Sequence, residues 1–137
     1  MQASSVLRGT PNLINRAYPK DYFLTNNIQN SWIEWKLKPG FTIIPTEYIV
    51  RSAPIFPIYD CFLRSWKIEG TTNKGETKTL HEVNNSPIEP GNIKKFDIKT
   101  NDLFVSFKLI QTGTNCSNNY KLMCDTFDFS GLILPNA

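Results

Sequence analysis

Catalysis in this chain would have to start from a short supply of reactive side chains. Its 137 residues include 1 histidine, His81. No histidine pair can grip a metal, and a Cys–His or Ser–His relay would have to run through that single imidazole. His81 falls in an expected strand, where an exposed, solvated ring is the expectation. The 3 cysteines, Cys61, Cys116 and Cys124, form an odd set without Cys-x-x-Cys spacing, which argues against a disulfide framework and against a zinc site. Cys61 and Cys124 read as buried small hydrophobes. Asp125 and Asp128 have the chemistry for shared acid–base work, but their setting reads as strand-face or turn solvation. Gly70 and Gly75 flank a turn with no following helix or lysine-serine pair, so a phosphate loop is not expected. The expectation is a protein that is not an enzyme, with no metal and no cofactor.

Composition sets the frame around those residues. Hydrophobic content of 40%, with 12% aromatic and 20% charged residues, is enough for a packed core in a chain about the size of one domain. The formal charge of +3 comes from 15 basic and 12 acidic residues. Its densest groups, Lys36 with Lys38, Lys74 with Lys78 and Lys94 with Lys95, are too sparse for a nucleic-acid or acidic-lipid surface. A mild basic bias does suit an acidic protein partner. The N-terminus lacks the apolar stretch of a secretory signal, and no window is long enough to enter and cross a bilayer. With the unpaired cysteines, this gives the expectation of a reducing, cytoplasmic setting.

The elements that would position a site read as strands. Ile33, Trp35 and Leu37 alternate with Glu34, Lys36 and Lys38, the period of a half-buried strand, and Pro39-Gly40 ends it. Phe41 to Ser52 follows, with Pro45 marking an edge position or a bulge. Residues 53–61 contain two prolines yet are strongly apolar, so they must pack under something or stand open to a partner. Strand character resumes over Phe62 to Glu69, with Leu63, Trp66 and Ile68 toward the core, and Gly70 to Gly75 forms a polar turn. Shorter strands fall at Thr77 to Val83 and Lys94 to Lys99. Leu103, Val105, Phe107 and Leu109 alternate again, and Leu122 to Ile133 closes the series. Trp32, Trp35 and Trp66 lie within strands and are assigned to the core. About eight antiparallel strands without helical periodicity predict an all-β sandwich or jelly roll. Residues 1–21 read as an N-terminal arm with at most a short strand near Leu13 and Ile14, and residues 22–137 as the single domain.

Several of these segments resemble, in order, the discoidin or coagulation factor V/VIII type C family. They are Asn30-Ser31-Trp32-Ile33, Tyr48-Ile49-Val50-Arg51-Ser52, Leu63-Arg64-Ser65-Trp66-Lys67-Ile68-Glu69-Gly70, Phe107-Lys108-Leu109-Ile110-Gln111-Thr112-Gly113, and the Phe127 to Leu132 closure. Within the family, the chain is most similar to the intracellular branch that accompanies BTB proteins in protists and animals. It departs from secreted members in having no cysteine at either terminus, and its loop at 53–61 is more apolar than usual. The resemblance implies a galactose-binding-like jelly roll over about Tyr22 to Ile133.

The resemblance also implies that ligand is met by loops at one end of the roll, here Tyr18 to Asn30, Arg51 to Cys61 and Thr112 to Tyr120. Those loops supply Tyr22, Phe23, Phe56 and Tyr59 as aromatic surfaces, with Arg51, Asp60 and Asn115 as polar partners. Aromatic faces beside a fixed arginine and carboxylate suit a protein hot spot or a sugar ring. The first expectation is an intracellular module that docks a protein, such as an acidic tubulin-like surface in a cytoskeletal or axonemal assembly. The second is a carbohydrate-binding module in which Tyr59 or Phe56 stacks on a sugar while Arg51 and Asp60 bond its hydroxyls.

Overall fold

The computed structural model describes residues 2–7, 23–52, 63–89 and 91–135. Among them the strands are β1 (Gln2–Ala3), β2 (Phe23–Leu24), β3 (Trp32–Lys36), β4 (Phe41–Arg51), β5 (Trp66–Thr72), β6 (Thr77–Val83), β7 (Ile93–Asp97), β8 (Phe104–Gln111), β9 (Met123–Cys124) and β10 (Thr126–Pro135). β2 and β9 form a small ladder, and the remaining strands make one 8-stranded antiparallel sheet.

Ladder order splits that sheet into two layers. β8 runs between β3 and β5, with β1 outside β3 and β6 outside β5. β4 runs between β7 and β10. The pair Ile43 and Phe104 links β4 to β8, so the sheet folds over itself as a jelly roll, as the sequence predicted.

Alternation along each strand sends side chains into the gap between layers. Ile33, Trp66, Ile68, Phe107 and Leu109 on one side meet Tyr48, Val50, Phe127 and Phe129 on the other, all buried. Phe107 and Phe129 stack across the gap at 3.9 Å. Trp35 packs on both rings, at 5.8 and 5.4 Å. Such aromatic pairs contribute about 0.5–1.5 kcal/mol each beyond the area they bury.

A polar thread crosses the same core. Trp66 Nε1 donates to the Tyr48 hydroxyl at 3.1 Å, and that hydroxyl lies 2.6 Å from His81 Nδ1. Burial drives the Tyr48 phenol above its ordinary value, against the Trp66 hydrogen bond. His81 is therefore not the exposed strand histidine expected from sequence. The β5–β6 register shifts between Ile68 and Glu69, leaving Leu80 as an extra residue. This bulge turns both Leu80 and His81 inward, Leu80 onto the core and His81 against Phe96 at 4.6 Å.

Other bulges explain further departures from simple alternation. Thr71 pairs with Ser106 but Thr72 with Phe104, so Val105 is skipped and Phe104, at 0% exposure, replaces Leu103 and Val105 as the core residue. Strand β5 starts at Trp66, after residues 63–65 that lie outside any strand, and continues past Glu69 to Thr72, so the expected turn narrows to residues 73–75. Gly70 permits this because the Phe104 ring lies where a Cβ would be, 2.6 Å from that position. Pro45 sits opposite Gly131 at a register shift that skips Thr46. Its role is the bulge, because β4 is a central strand.

The start of the expected arm also differs. Gln2 and Ala3 pair with Glu34 and Ile33, which makes β1 the outer strand beside β3. Leu13 and Ile14 lie outside the described residues.

Candidate ligand-binding site

Strands β3, β5, β7 and β10 begin, and β4, β6 and β8 finish, at one end of the roll. That geometry gathers segments 25–31, 84–89, 91–92 and 112–122 there. Most polar side chains at this end brace the loops. Arg51 Nη1 lies 2.7 Å from Asp125 Oδ2, with side-chain exposures of 12% and 0%. Burial pushes the Asp125 carboxyl above the ordinary carboxylate range, while the Thr126 hydroxyl and the Arg51 guanidinium pull against it. Ser52 Oγ donates to the Ile88 carbonyl at 2.8 Å. Arg64 clasps the facing loop, donating from Nε to the Thr114 carbonyl at 2.9 Å and from Nη2 to Thr114 Oγ1 at 2.7 Å.

Asn115 is the hub of that facing loop. Its Nδ2 donates to Asn119 Oδ1 at 2.7 Å and to the Lys121 carbonyl at 2.9 Å, and its Oδ1 accepts from the backbone N–H of Ser117 and Asn119. Beneath it, buried Gln111 donates from Nε2 to the Gly113 carbonyl at 2.9 Å. Hydrogen-bonded turns of this kind hold a loop in one shape at low reorganisation cost.

Of the residues expected to contact ligand, the three that are described, Phe23, Arg51 and Asn115, are engaged within the protein. Phe23 is 0% exposed in β2, pairing with Cys124, and belongs to the core. Asn115 is 0% exposed and engaged within its own loop. Arg51 is turned to Asp125, a partner that the sequence did not indicate. Tyr22, Phe56, Tyr59 and Asp60 lie outside the described residues, as does Cys61. Asp125 and Asp128 share no site: the first is buried on Arg51, and the second is exposed and accepts from the Trp35 indole at 2.9 Å. Among the described residues no cluster of His, Cys, Asp or Glu side chains is arranged to hold a metal ion.

One hollow at this end is not taken up by bracing. Asn30, Trp32, Lys67, Ile110 and Thr112 line a depression of about 550 Å³. Trp32, Ile110 and Lys67 form one row across β3, β8 and β5, on the outer face of that layer. Trp32 is only partly buried there, so its assignment to the core is corrected. The signal was in its parity: Trp32 shares a strand face with Glu34 and Lys36, opposite the apolar face of Ile33, Trp35 and Leu37. Lys108 Nζ lies 4.1 Å from the Trp32 ring centroid, a cation–π contact that fixes the indole.

The rim of the hollow is preset as well. Asn30 takes a left-handed backbone, φ 61°, a conformation that asparagine tolerates. The neighbouring Ser31 bonds to the Ile28 carbonyl at 2.7 Å and accepts from the Gln111 N–H at 2.9 Å, pinning the turn to β8. Lys67 Nζ pairs with Glu69 Oε1 at 2.8 Å, and that bond raises the Lys67 pKa from its ordinary value. At the opposite end of the roll a smaller hollow, about 260 Å³, includes Lys78 and Asp102 in its lining. Those two charges already satisfy each other at 2.6 Å.

No family model and no curated protein sequence matches the chain. Solved structures do. The chain is similar to CBM32-3 from a family 31 glycoside hydrolase of Clostridium perfringens, with a TM-score of 0.74, 12% identity, and coverage of 96% of this chain and 89% of that one. It is similar to the lectin domain of lectinolysin complexed with Lewis B antigen, with a TM-score of 0.76 at 12% identity, covering 96% and 91%. It also matches a Streptococcus pneumoniae fucose binding module, with a TM-score of 0.71 at 14% identity, covering 95% and 89%. At these identities the likeness is one of fold, the galactose-binding-like jelly roll implied by the discoidin resemblance.

Proposed function

We propose that this chain is a non-catalytic carbohydrate-binding module that takes its sugar at the loop end of the roll. The observation that carries this reading is the near-complete overlap, in both directions, with a carbohydrate-binding module, a lectin domain and a fucose binding module. The site geometry supports it. Sugar recognition favours a shallow, prearranged surface with an aromatic ring and polar groups of both kinds, and the loop end combines braced turns with a partly exposed tryptophan.

The competing expectation, docking of an acidic protein partner within a cytoskeletal assembly, draws on a mild positive charge and on the BTB branch of the family. Its counterpart among the described residues is an apolar hollow of about 330 Å³ lined by Trp35, Lys36, Leu37, Lys38, Phe41 and Ile133, away from the loop end. A glycan array probed with the labelled chain separates the two. Retention on a related subset of glycans, abolished by the free terminal sugar, is the expected result. A folded chain that stays silent across the array would remove the sugar reading.

A further inference from the structure

We infer that the depression around Trp32, on the outer face of the five-stranded layer, is the sugar subsite, and that it selects a neutral pyranose over an acidic one. This rests on the carbohydrate-binding reading and adds the place and the ligand class. The argument begins with which polar groups remain available. At the loop end Arg51, Ser52, Arg64 and Asn115 bond within the protein, and Gln111 does so through Nε2, its unpartnered Oε1 being buried away from the surface. The side-chain amide of Asn30, the hydroxyl of Thr112 and the indole N–H of Trp32 make no such bond among the described residues, and all three border the same hollow.

That set matches the surface of a pyranose. A sugar ring offers an apolar face of C–H groups and a rim of hydroxyls that both donate and accept. The indole and Ile110 supply the apolar wall, the Asn30 amide donates and accepts, and the Thr112 hydroxyl does either. A hollow of about 550 Å³ lies in the range of small-ligand sites, roughly 300–1,000 Å³, and has room for a sugar with part of its neighbour. The ring is already oriented by Lys108 at 4.1 Å, so stacking requires little ordering.

Charge selects the class. Lys67 is bound to Glu69 at 2.8 Å, and Lys108, whose ammonium lies over the Trp32 ring, has Glu34 and Glu69 as its neighbours in the sheet register. Two lysines and two glutamates thus sum to no net charge among the described residues at this face, and a carboxylated sugar would gain no net attraction there while meeting two carboxylates. A neutral one loses nothing by their presence.

Calorimetric titration of the full chain tests this with fucose, galactose and N-acetylgalactosamine as neutral probes and N-acetylneuraminic acid as the acidic one. Binding by a neutral sugar that weakens about tenfold or more in Trp32→Ala, the loss expected for an aromatic anchor, supports the subsite. Asn30→Gly suits φ 61°, so it removes the amide without strain, and Thr112→Val removes the hydroxyl at nearly constant volume. Each should weaken binding about two- to tenfold. These two variants keep the test valid should Trp32→Ala lose its fold. Neutral sugar bound equally well by the folded Trp32, Asn30 and Thr112 variants overturns the subsite while the loop-end reading survives elsewhere. Preference for N-acetylneuraminic acid overturns the ligand class, and a wild-type chain that binds none of the probes overturns the subsite as stated, with the glycan array deciding the wider reading.

Discussion

Arg51 Nη1 lies 2.7 Å from Asp125 Oδ2, with the carboxylate fully buried and the guanidinium 12% exposed. The ion pair ties the last residue of β4 to the residue that precedes β10, at the root of the loop end. Its role is to hold the scaffold on which ligand-facing loops stand.

Truncating only one member strands the other. Arg51→Met leaves Asp125 buried without its cation and should destabilise the fold by about 3–5 kcal/mol, whereas Arg51→Met combined with Asp125→Asn should recover a large part of that loss. Urea unfolding of the single and double variants measures the difference. Equal destabilisation in both would show that the pair does not work as a unit.

The Trp66–Tyr48–His81 thread predicts a pH dependence. Burial lowers the His81 pKa below its ordinary value of 6.5. The unfolded chain therefore takes up the proton first as pH falls. His81 thus contributes stability that is fully present above pH 6.5 and is lost as pH drops through the lower folded-state pKa. Thermal melts from pH 8 downward should show a decline that flattens in His81→Gln. Tyr48→Phe removes the shared hydroxyl and leaves two polar groups without it, at a cost of about 1–3 kcal/mol.

Gly131 is required by a close backbone approach. A Cβ at this position would run into the Ile44 carbonyl oxygen and come within 2.8 Å of Pro45 Cα. Gly131→Ala should lower stability by about 1–3 kcal/mol by forcing the β4–β10 bulge apart, read as a shift of the denaturation midpoint with an unchanged slope. A neutral effect would mean that the bulge yields easily.

Cys124 is fully buried, and burial together with the adjacent Asp125 carboxylate raises its thiol pKa. In a Cys61→Ser, Cys116→Ser background, a disulfide reagent should label Cys124 only at the rate of unfolding. Fast labelling of the native protein would contradict the packing of β9 against β2.

The sequence disclosed the fold well where its pattern was regular. Thr77 to Val83 forms β6 with those limits, and Ile33 and Trp35 lie in β3 with Leu37 just past its end. It misled where a bulge changed parity. Val105 and Leu80 are extra residues in their ladders, and each reverses which neighbour faces inward, an effect that composition does not encode. The site was harder to read for a different reason. Arg51 and Asn115 have the residue types of ligand contacts, but loops rooted in a sandwich need those same groups to satisfy their own backbone. Trp32 was grouped with the core tryptophans because it lies in a strand. Its place on the polar face of that strand was the clue.

A nitrogen-labelled spectrum of the chain, titrated with the neutral sugar that the array selects, tests sugar recognition at the loop end most directly. Shifts confined to the Trp32 indole and to residues 26–32, 65–67 and 110–120, with the turns at 73–76 and 98–103 unmoved, are predicted. A spectrum that moves only at those distant turns, or does not move at saturating sugar, contradicts it.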